Sequence, residues 1–444
     1  MENTPLLIGI FILIYKRRTQ IYASSTMENI TNIPIYILLF LTLYFEVFLL
    51  VTYFEEQDEF GQMSPLPHRK PGKFPTVTII VPAWNEGKTL LSTIHSLLAL
   101  AYPKDRLSIF IVDDGSTDNT LEVARTFEGN PQIRVFSKAN GGKYTALNLG
   151  ISHATSDLVG CLDADSYVDA QALREIIPYF DTPEVMAVTP SVQIHKPDNA
   201  LQRMQAAEYM IGEFTRKVFS RLNGLYVTPG PFSIYRRRIF AEIGDFVHAY
   251  NTEDMEMALR MQSHRMKIEN AHKAFVYTVS PRTPHALYKQ RVRWVSGFLK
   301  NAFFNYRHMF LNRKYGNLGL LTMPFAFASI FIALTFTTIY FKSLIHIVQE
   351  KYIQYSALGF HPHLGWPTWR FDWFSLNLEF RTIMIYLMLF GTIFFLLIGT
   401  RMVTRRNAFS RDMLYFLLLY GIIAPFWLAR SLYNLVTAKE AKWR

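Results

Sequence analysis

Leu158-Val-Gly-Cys-Leu-Asp-Ala-Asp165 passes through five uncharged residues and then presents two carboxylates one residue apart. Val77-Thr-Ile-Ile-Val81, Ser108-Ile-Phe-Ile-Val112 and Ile133-Arg-Val-Phe136 have the same form: short, almost continuously apolar, and ending on polar residues. A strand covered on both faces needs such a run, whereas a half-exposed strand alternates. Helical patterns over about Leu90 to Ala99 and Leu121 to Phe127 lie between the runs. Alternation of strand and helix predicts a doubly wound parallel α/β sheet, which binds ligands beyond the carboxyl ends of its strands. The polar residues at those ends are the candidate site.

Outward from this domain the composition changes. Half of the 444 residues are hydrophobic and only 18% are charged, against about 25% charged in ordinary soluble proteins. That balance excludes a disordered chain and calls for lipid in addition to an α/β core. Runs of about 20 apolar residues cross roughly 30 Å of hydrocarbon. Residues 33–54, 317–341, 382–400 and 413–436 have that form, with Glu46 and Arg430 as charged exceptions. Such charges are costly in lipid; facing a polymer channel, snorkelling and pairing with each other are the alternatives. Within the N-terminal segment 1–32, Leu6 to Tyr15 precedes Lys16-Arg17-Arg18 and is short for a full span, closer to a signal-type or interfacial stretch. Met27-Glu28-Asn29 echoes Met1-Glu2-Asn3, which leaves a later start open.

A net charge of +11 suits anionic headgroups, nucleic acid or a phosphorylated substrate. Residues 281–316 carry eight Lys or Arg and no Asp or Glu, with Trp294, Phe298, Phe303, Phe304 and Phe310 interleaved. A basic, aromatic segment just before a span is expected among the lipid headgroups of the cytoplasmic leaflet. Because the cluster adjoins a span, nucleic acid is not expected as a partner. The loop 401–412 holds Arg401, Arg405, Arg406 and Arg411, so the positive-inside rule places it, with the water-facing domain 55–280, in the cytoplasm. The loop 342–381 then falls outside, and so, against the rule, does the tail 437–444 with Lys439, Lys442 and Arg444. No regulatory domain is recognised after the last span. The single cysteine, Cys161, excludes an intramolecular disulfide, and His361-Pro362-His363 is the only close histidine pair of note, in the outer loop.

Asp163 and Asp165 suit a hard divalent cation that shares its remaining positions with phosphate oxygens and water. The plain alternative is a solvated turn. Asp113-Asp114-Gly115-Ser116-Thr117-Asp118 and Val81-Pro82-Ala83-Trp84-Asn85-Glu86 end two further strands in acids, although each also reads as a turn capping the next helix. Three neighbouring strand ends that each deliver an acid exceed what chance turns supply.

With Asn140-Gly141-Gly142-Lys143, Thr252-Glu253-Asp254 and Gln290-Arg291-Val292-Arg293-Trp294 added, the ordered set resembles the membrane-embedded, processive family 2 glycosyltransferases. These include poly-N-acetylglucosamine, hyaluronan, chitin and cellulose synthases, and the chain is most similar to the bacterial poly-β-1,6-N-acetylglucosamine synthases. The resemblance covers about 77–316. It implies a GT-A-type α/β domain inserted between transmembrane helices. It also implies inverting transfer of a sugar, N-acetylglucosamine first, from a UDP-sugar donor to a growing β-linked polysaccharide acceptor that leaves through the membrane. Transfer of one sugar to a lipid carrier, and an inactive transporter or scaffold, are the alternatives; an accessory membrane subunit is left open.

By the same resemblance Glu86 and Asp114 would contact the uridine, Lys143 the nucleotide or its phosphates, and Asp163 the nucleotide-sugar. Asp165 would ligate Mg²⁺ or Mn²⁺, Arg293 would meet the pyrophosphate, and Asp254 would be the general base. Gln290 and Trp294 would close over the acceptor end, although Trp294 also reads as an interfacial anchor. Thr228-Pro229-Gly230-Pro231-Phe232-Ser233-Ile234-Tyr235 resembles the acceptor loop, with Gly230 and Pro231 allowing close approach and Phe232 or Tyr235 as lining. Its Gly-Pro form is closer to hyaluronan and chitin synthases, so the linkage is open. Inversion needs one base to deprotonate the acceptor hydroxyl, and the leaving diphosphate needs positive charge rather than a second acid. Asp254 opens a helical pattern whose dipole favours its anion and limits basicity, with Glu253 opposing that effect.

Overall fold

The strand β1 (Val77–Ala83) is buried along its whole length, and β2 (Leu107–Asp113) lies parallel beside it in the register Val77 to Leu107. This is a computed structural model; it describes residues 33–55, 74–358, 379–404 and 410–437. The expectations for Leu6 to Tyr15, His361 to His363, Arg405, Arg406, Lys439, Lys442 and Arg444 fall outside the described residues. Two units can be distinguished, one of 1–54 with 360–393 and one of 55–359 with 394–444, and each is treated by itself.

In the larger unit β3 (Ile133–Ser137) and β4 (Leu158–Cys161) complete a parallel half-sheet around β1 and β2. Helices α2 (Leu90–Leu98), α3 (Thr120–Arg125) and α4 (Lys143–His153) follow β1, β2 and β3 in the chain. The apolar face of α2, with Leu90, Ile94 and Leu97, joins Ile79, Ile109 and Ile111 in the main core. Burying those side chains is worth roughly 1.5–3 kcal/mol each, so the strands hold their polar ends at one edge.

Beyond β4 the sheet is mixed rather than purely parallel. Its order is β3-β2-β1-β4-β7-β6-β8-β5, where β5 is Ser166–Val168, β6 Val185–Ile194, β7 Ile234–Arg236 and β8 Lys267–Thr278. Strand β7 is antiparallel to β4 and β6, β5 is antiparallel to β8, and β6 pairs with β8 in parallel. Strands β5 and β7 are three residues long, too short to display a period of two in the sequence.

Further helices are α5 (Ala172–Ile176), α6 (Ala200–Arg221), α7 (Arg238–Ile243), α8 (Glu253–Ser263) and α9 (Pro284–Lys300). Asn199 caps α6 by accepting the Gln202 N–H at 2.9 Å, and Thr283 caps α9 with Pro284 in its first turn. The sequence places the α9 segment on the headgroups as a basic stripe. Instead its Leu287 and Val292 pack with Leu201 and Met204 of α6 and with Ala424 and Trp427, leaving Arg291 and Lys300 only 3% and 2% exposed. The outward part of the stripe is the following turn, where Phe303, Phe304, Phe310, Arg307, Arg313 and Lys314 are exposed.

Among the described residues four helices are long and apolar enough to cross a membrane. They are α1 (Ile33–Glu55) and the helices α10 (Met323–Leu358), α11 (Phe380–Thr404) and α12 (Arg411–Val436). Helix α10 differs from the expected span 317–341, because residues 342–358 contain no Gly or Pro and the helix continues through them. Helix α12 starts at the Ser410 cap and packs against α6 and α9. In the smaller unit the Glu46 carboxyl of α1 accepts the Thr392 hydroxyl at 3.3 Å, and Gly391 leaves it room, since a Cβ there would collide with Glu46 Oε2. Arg430 stacks 5.1 Å over the Tyr433 ring.

Candidate active site

The loops after β1 and β2 are latched together by their polar side chains. Ser116 Oγ accepts the Asn85 N–H at 3.0 Å, Asn85 Oδ1 accepts the Thr117 N–H at 2.8 Å, and Thr120 Oγ1 accepts the Glu86 N–H at 2.8 Å. Asn85 sits at φ 57°, a left-handed conformation that Asn tolerates. Glu86 is thereby fixed at the rim of the sheet, its Oε2 accepting the Thr89 hydroxyl at 3.0 Å.

Asp114 is buried and its carboxylate is satisfied from the next strand end. Lys138 Nζ lies 2.6 Å from Oδ1, and the Gly141 and Gly142 N–H groups donate to Oδ1 and Oδ2 at 3.1 and 2.8 Å. Lys138 is a site residue that the sequence reading missed; its signal is its position directly after Ser137, the end of β3. By holding Gly142, Asp114 fixes the start of α4 and so the root of Lys143.

Lys143 points across the strand ends. Its ammonium pairs with Asp163 beyond β4 and lies 3.6 Å from Glu253 Oε1 at the start of α8. Burial works against this cation, but Asp163, Glu253 and Asp254 outweigh it and raise its pKa. Gly230 lies against the pair: a Cβ there would be 2.7 Å from Lys143 Nζ and 3.3 Å from Asp163 Oδ2. Asp165, bonded by the Ser166 hydroxyl at 3.2 Å, is pushed up to about 6 by burial and then by the charges of Asp163 and Glu86.

Asp254 closes the ring from the other side. Its Oδ2 accepts the Gly230 N–H at 3.2 Å, its Oδ1 the Met255 N–H at 2.9 Å, and its carbonyl the Thr228 hydroxyl at 2.6 Å. Burial first and the Glu253 charge second push it up to about 6, against the opposing charges of Lys143 and Arg293. Glu253 thus acts in the direction its position implies. Just before this segment Ala249, Tyr250 and Asn251 all have positive φ, 44°, 56° and 62°, at a cost of roughly 1–2 kcal/mol per residue.

Arg293 Nη1 donates to the Asn251 carbonyl at 3.1 Å. Gln290 Oε1 accepts from Arg291 Nη1 at 2.9 Å, and the Arg291 guanidinium lies 4.3 Å over the Trp294 ring. Arg291 itself is held by Glu208 at 2.7 Å. Pro231 follows Gly230 in the loop, but Phe232 and Tyr235, expected as lining, are buried: Phe232 in the main core and Tyr235 against Phe240 and Phe246. Pairing of β7 with β4 and β6 turns Tyr235 inward, and Phe232, just before β7, is held by its N–H donating to the Cys161 carbonyl at 2.6 Å.

The contacts run continuously from Asp114 through Gly142 and Lys143 to Asp163, and from Gly230 to Asp254. Among the described residues no three His, Cys, Asp or Glu side chains form a ready-made metal cage. The donor set fits instead a hard cation completed by its ligand. Asp165 carries an undercompensated charge beside Asp163 and Glu86, which a divalent ion bridged to phosphate oxygens would balance.

A partly parallel sheet whose strand ends gather acids and lysines beside a glycine-proline loop is a GT-A-like fold. The profile of the glycosyltransferase-like family 2 matches residues 75–297, half of the chain, and the chain belongs to that family. Over 273 residues it is 29% identical to the poly-β-1,6-N-acetyl-D-glucosamine synthase of Staphylococcus epidermidis, covering 61% of this chain and 65% of that one. Over 271 residues it is 31% identical to the synthase of the same name from Staphylococcus aureus strain COL, covering 60% and 65%. The match thus spans just under two thirds of these relatives. In fold the chain is similar to a mannosyltransferase of Pyrobaculum calidifontis solved with GDP-mannose and Mn²⁺, with TM-score 0.56 and 16% identity over 91% of this chain and 99% of that one.

Proposed function

We propose that this protein is an inverting, cation-dependent transferase that moves a sugar from a UDP-sugar, N-acetylglucosamine foremost, to the end of a growing β-linked polysaccharide. The observation that carries this reading is the Asp254 carboxylate, buried, pushed up to about 6 and bonded to the Gly230 amide beside the Lys143–Asp163 pair. A carboxylate of that pKa is roughly nine tenths ionised at pH 7 and basic enough to take a proton from a hydroxyl as it attacks.

Glu86 and Asp114 line the uridine end of the cleft, and Asp163 with Lys143 the diphosphate. The lysine has three N–H donors, so it can keep Asp163 and still reach a phosphate oxygen. Asp165 is the residue that would hold Mg²⁺ or Mn²⁺, and such an ion supplies positive charge to the departing diphosphate. Arg293, close to Asp254 in charge, adds a second cation on the same side. Gly230 and Pro231 leave room for the acceptor sugar, with Gln290 and Trp294, ordered by Arg291, as its walls. The acceptor hydroxyl attacks the anomeric carbon, its proton goes to Asp254, and the bond to UDP breaks with inversion.

The four apolar helices support a membrane protein; in the proposed topology it is multi-pass, the catalytic domain is cytoplasmic, the product leaves across the bilayer and the exposed Phe303–Lys314 turn rests on lipid headgroups. The test is incubation of the detergent-purified full chain with a panel of UDP-sugars and Mg²⁺ or Mn²⁺, followed by mass and linkage analysis. A size ladder from UDP-N-acetylglucosamine is the expected product. A single-sugar glycolipid would replace this reading with transfer to a lipid carrier, and absence of UDP release would end it.

A further inference from the structure

Gly297 on helix α9 and Asn301 just after it, residues of no motif picked out in the sequence, reach the Thr252-Glu253-Asp254 segment. Asn301, directly after α9 and 0% exposed, donates through Nδ2 to the Ala249 carbonyl at 3.2 Å and to Thr252 Oγ1 at 3.1 Å. Its Oδ1 accepts from Asn305 Nδ2 at 2.9 Å, which fixes the amide with its donors towards the turn. One helical turn earlier, Gly297 lets Thr252 approach so closely that a Cβ would collide with both Thr252 Cγ2 and Oγ1. The Thr252 carbonyl in turn accepts the Met255 and Glu256 N–H groups at 3.2 and 3.0 Å, which starts α8 and sets the direction of Asp254.

The left-handed run 249–251 is a conformation that persists only where its surroundings over-determine it. Here the carbonyls at its two ends are held from α9 and the residue that ends it, by Arg293 at Asn251 and by Asn301 at Ala249. We propose that Asn301 is a positioning residue for the reaction: by gripping Ala249 and Thr252 it fixes the left-handed turn, and through Thr252 the first turn of α8, so that the Asp254 carboxylate meets the acceptor hydroxyl. Asn301 touches neither donor nor acceptor, and the inference rests on the reading of Asp254 as the base.

The test compares the wild type with Asn301→Asp, which keeps the shape and removes both donors, and with Gly297→Ala, which presses on Thr252 from the same helix face one turn earlier. The full chain in detergent is assayed with UDP-N-acetylglucosamine and Mg²⁺. Misplacing a reacting group by about 1 Å can cost on the order of 100-fold, so kcat is expected to fall by about 10- to 100-fold in both variants. KM for the donor and UDP affinity are expected to stay within about twofold and the acid limb of the kcat–pH profile to shift. If Asn301→Asp fails to fold, Gly297→Ala decides alone. Full kcat in a folded variant, a rise in KM with kcat intact, or a loss that follows melting temperature with an unmoved acid limb would each overturn the inference. An active Asp254→Asn would overturn the base and this inference together, whereas an inactive Asp254→Asn beside fully active Asn301 and Gly297 variants overturns this inference alone.

Discussion

The Gly230 amide donates to Asp254 Oδ2 at 3.2 Å, while the same glycine leaves no room for a Cβ between Lys143 and Asp163. One residue thus stands between the group assigned to the acceptor and the groups assigned to the donor.

Substituting it should separate the two. In Gly230→Ala the methyl would lie 2.7 Å from Lys143 Nζ and displace the lysine from Asp163. Transfer is expected to fall about 10- to 100-fold in a protein that still folds, with UDP affinity reduced. Isothermal titration of UDP and steady-state rates together check this; wild-type rates in the alanine variant would show that the loop lies off the reaction path.

Asp254→Asn keeps an oxygen for the Gly230 N–H but removes the base. Loss of a general base costs about 100- to 10,000-fold in kcat, whereas UDP binding should change by less than about twofold. Undiminished polymer yield would remove Asp254 from the chemistry.

The pH dependence follows from the same carboxylate. Its pKa is raised from 3.8 to about 6, so kcat should rise with pH up to the neighbourhood of 6 and level off above it. The sign for stability is opposite. The fold favours the protonated form, so its stabilising contribution is complete below 3.8 and is lost as pH rises towards about 6. Asp254→Asn should therefore melt higher than the wild type at pH 7.5, with the gain shrinking at pH 4.5, as differential scanning fluorimetry would show. An equal or lower melting temperature at both pH values would contradict the assignment.

For the cation, Asp165→Ala should abolish the Mg²⁺- or Mn²⁺-dependent part of turnover, and EDTA should do the same to the wild type. Binding of UDP followed by calorimetry should lose its dependence on Mg²⁺ in the variant. Full activity in EDTA would exclude this use of Asp165.

The strand ends were legible because a chain buried on both faces has no choice but to be apolar until it emerges, so Glu86, Asp114, Asp163 and Asp165 stood out against their runs. Lys138 and the pairing of Lys143 with Glu253 were not, since a salt bridge between α4 and α8 leaves no local pattern. The burial of Tyr235 leaves no pattern because the antiparallel β7 that carries it is too short to announce itself, and Phe232 just before it enters the main core from a loop. Arg291 looks like part of a surface stripe until Glu208 of α6 holds it, and Lys300 until it lies against the Tyr250 ring. The span expected over 317–341 ends where hydropathy drops at Lys342, but such a drop does not stop a helix that meets no Gly or Pro, so α10 runs on through what reads as the start of the loop 342–381.

Helix α12 supplies Ala424 and Trp427 to the packing of Leu201 and Met204 on α6 and of Leu287 and Val292 on α9. An expression fragment cut before the last helix would carry those aliphatic side chains bare into water, on the very helix that bears Arg293. Soluble catalytic halves of this protein should accordingly clump rather than work, and any biochemistry on them would be reporting on a damaged enzyme.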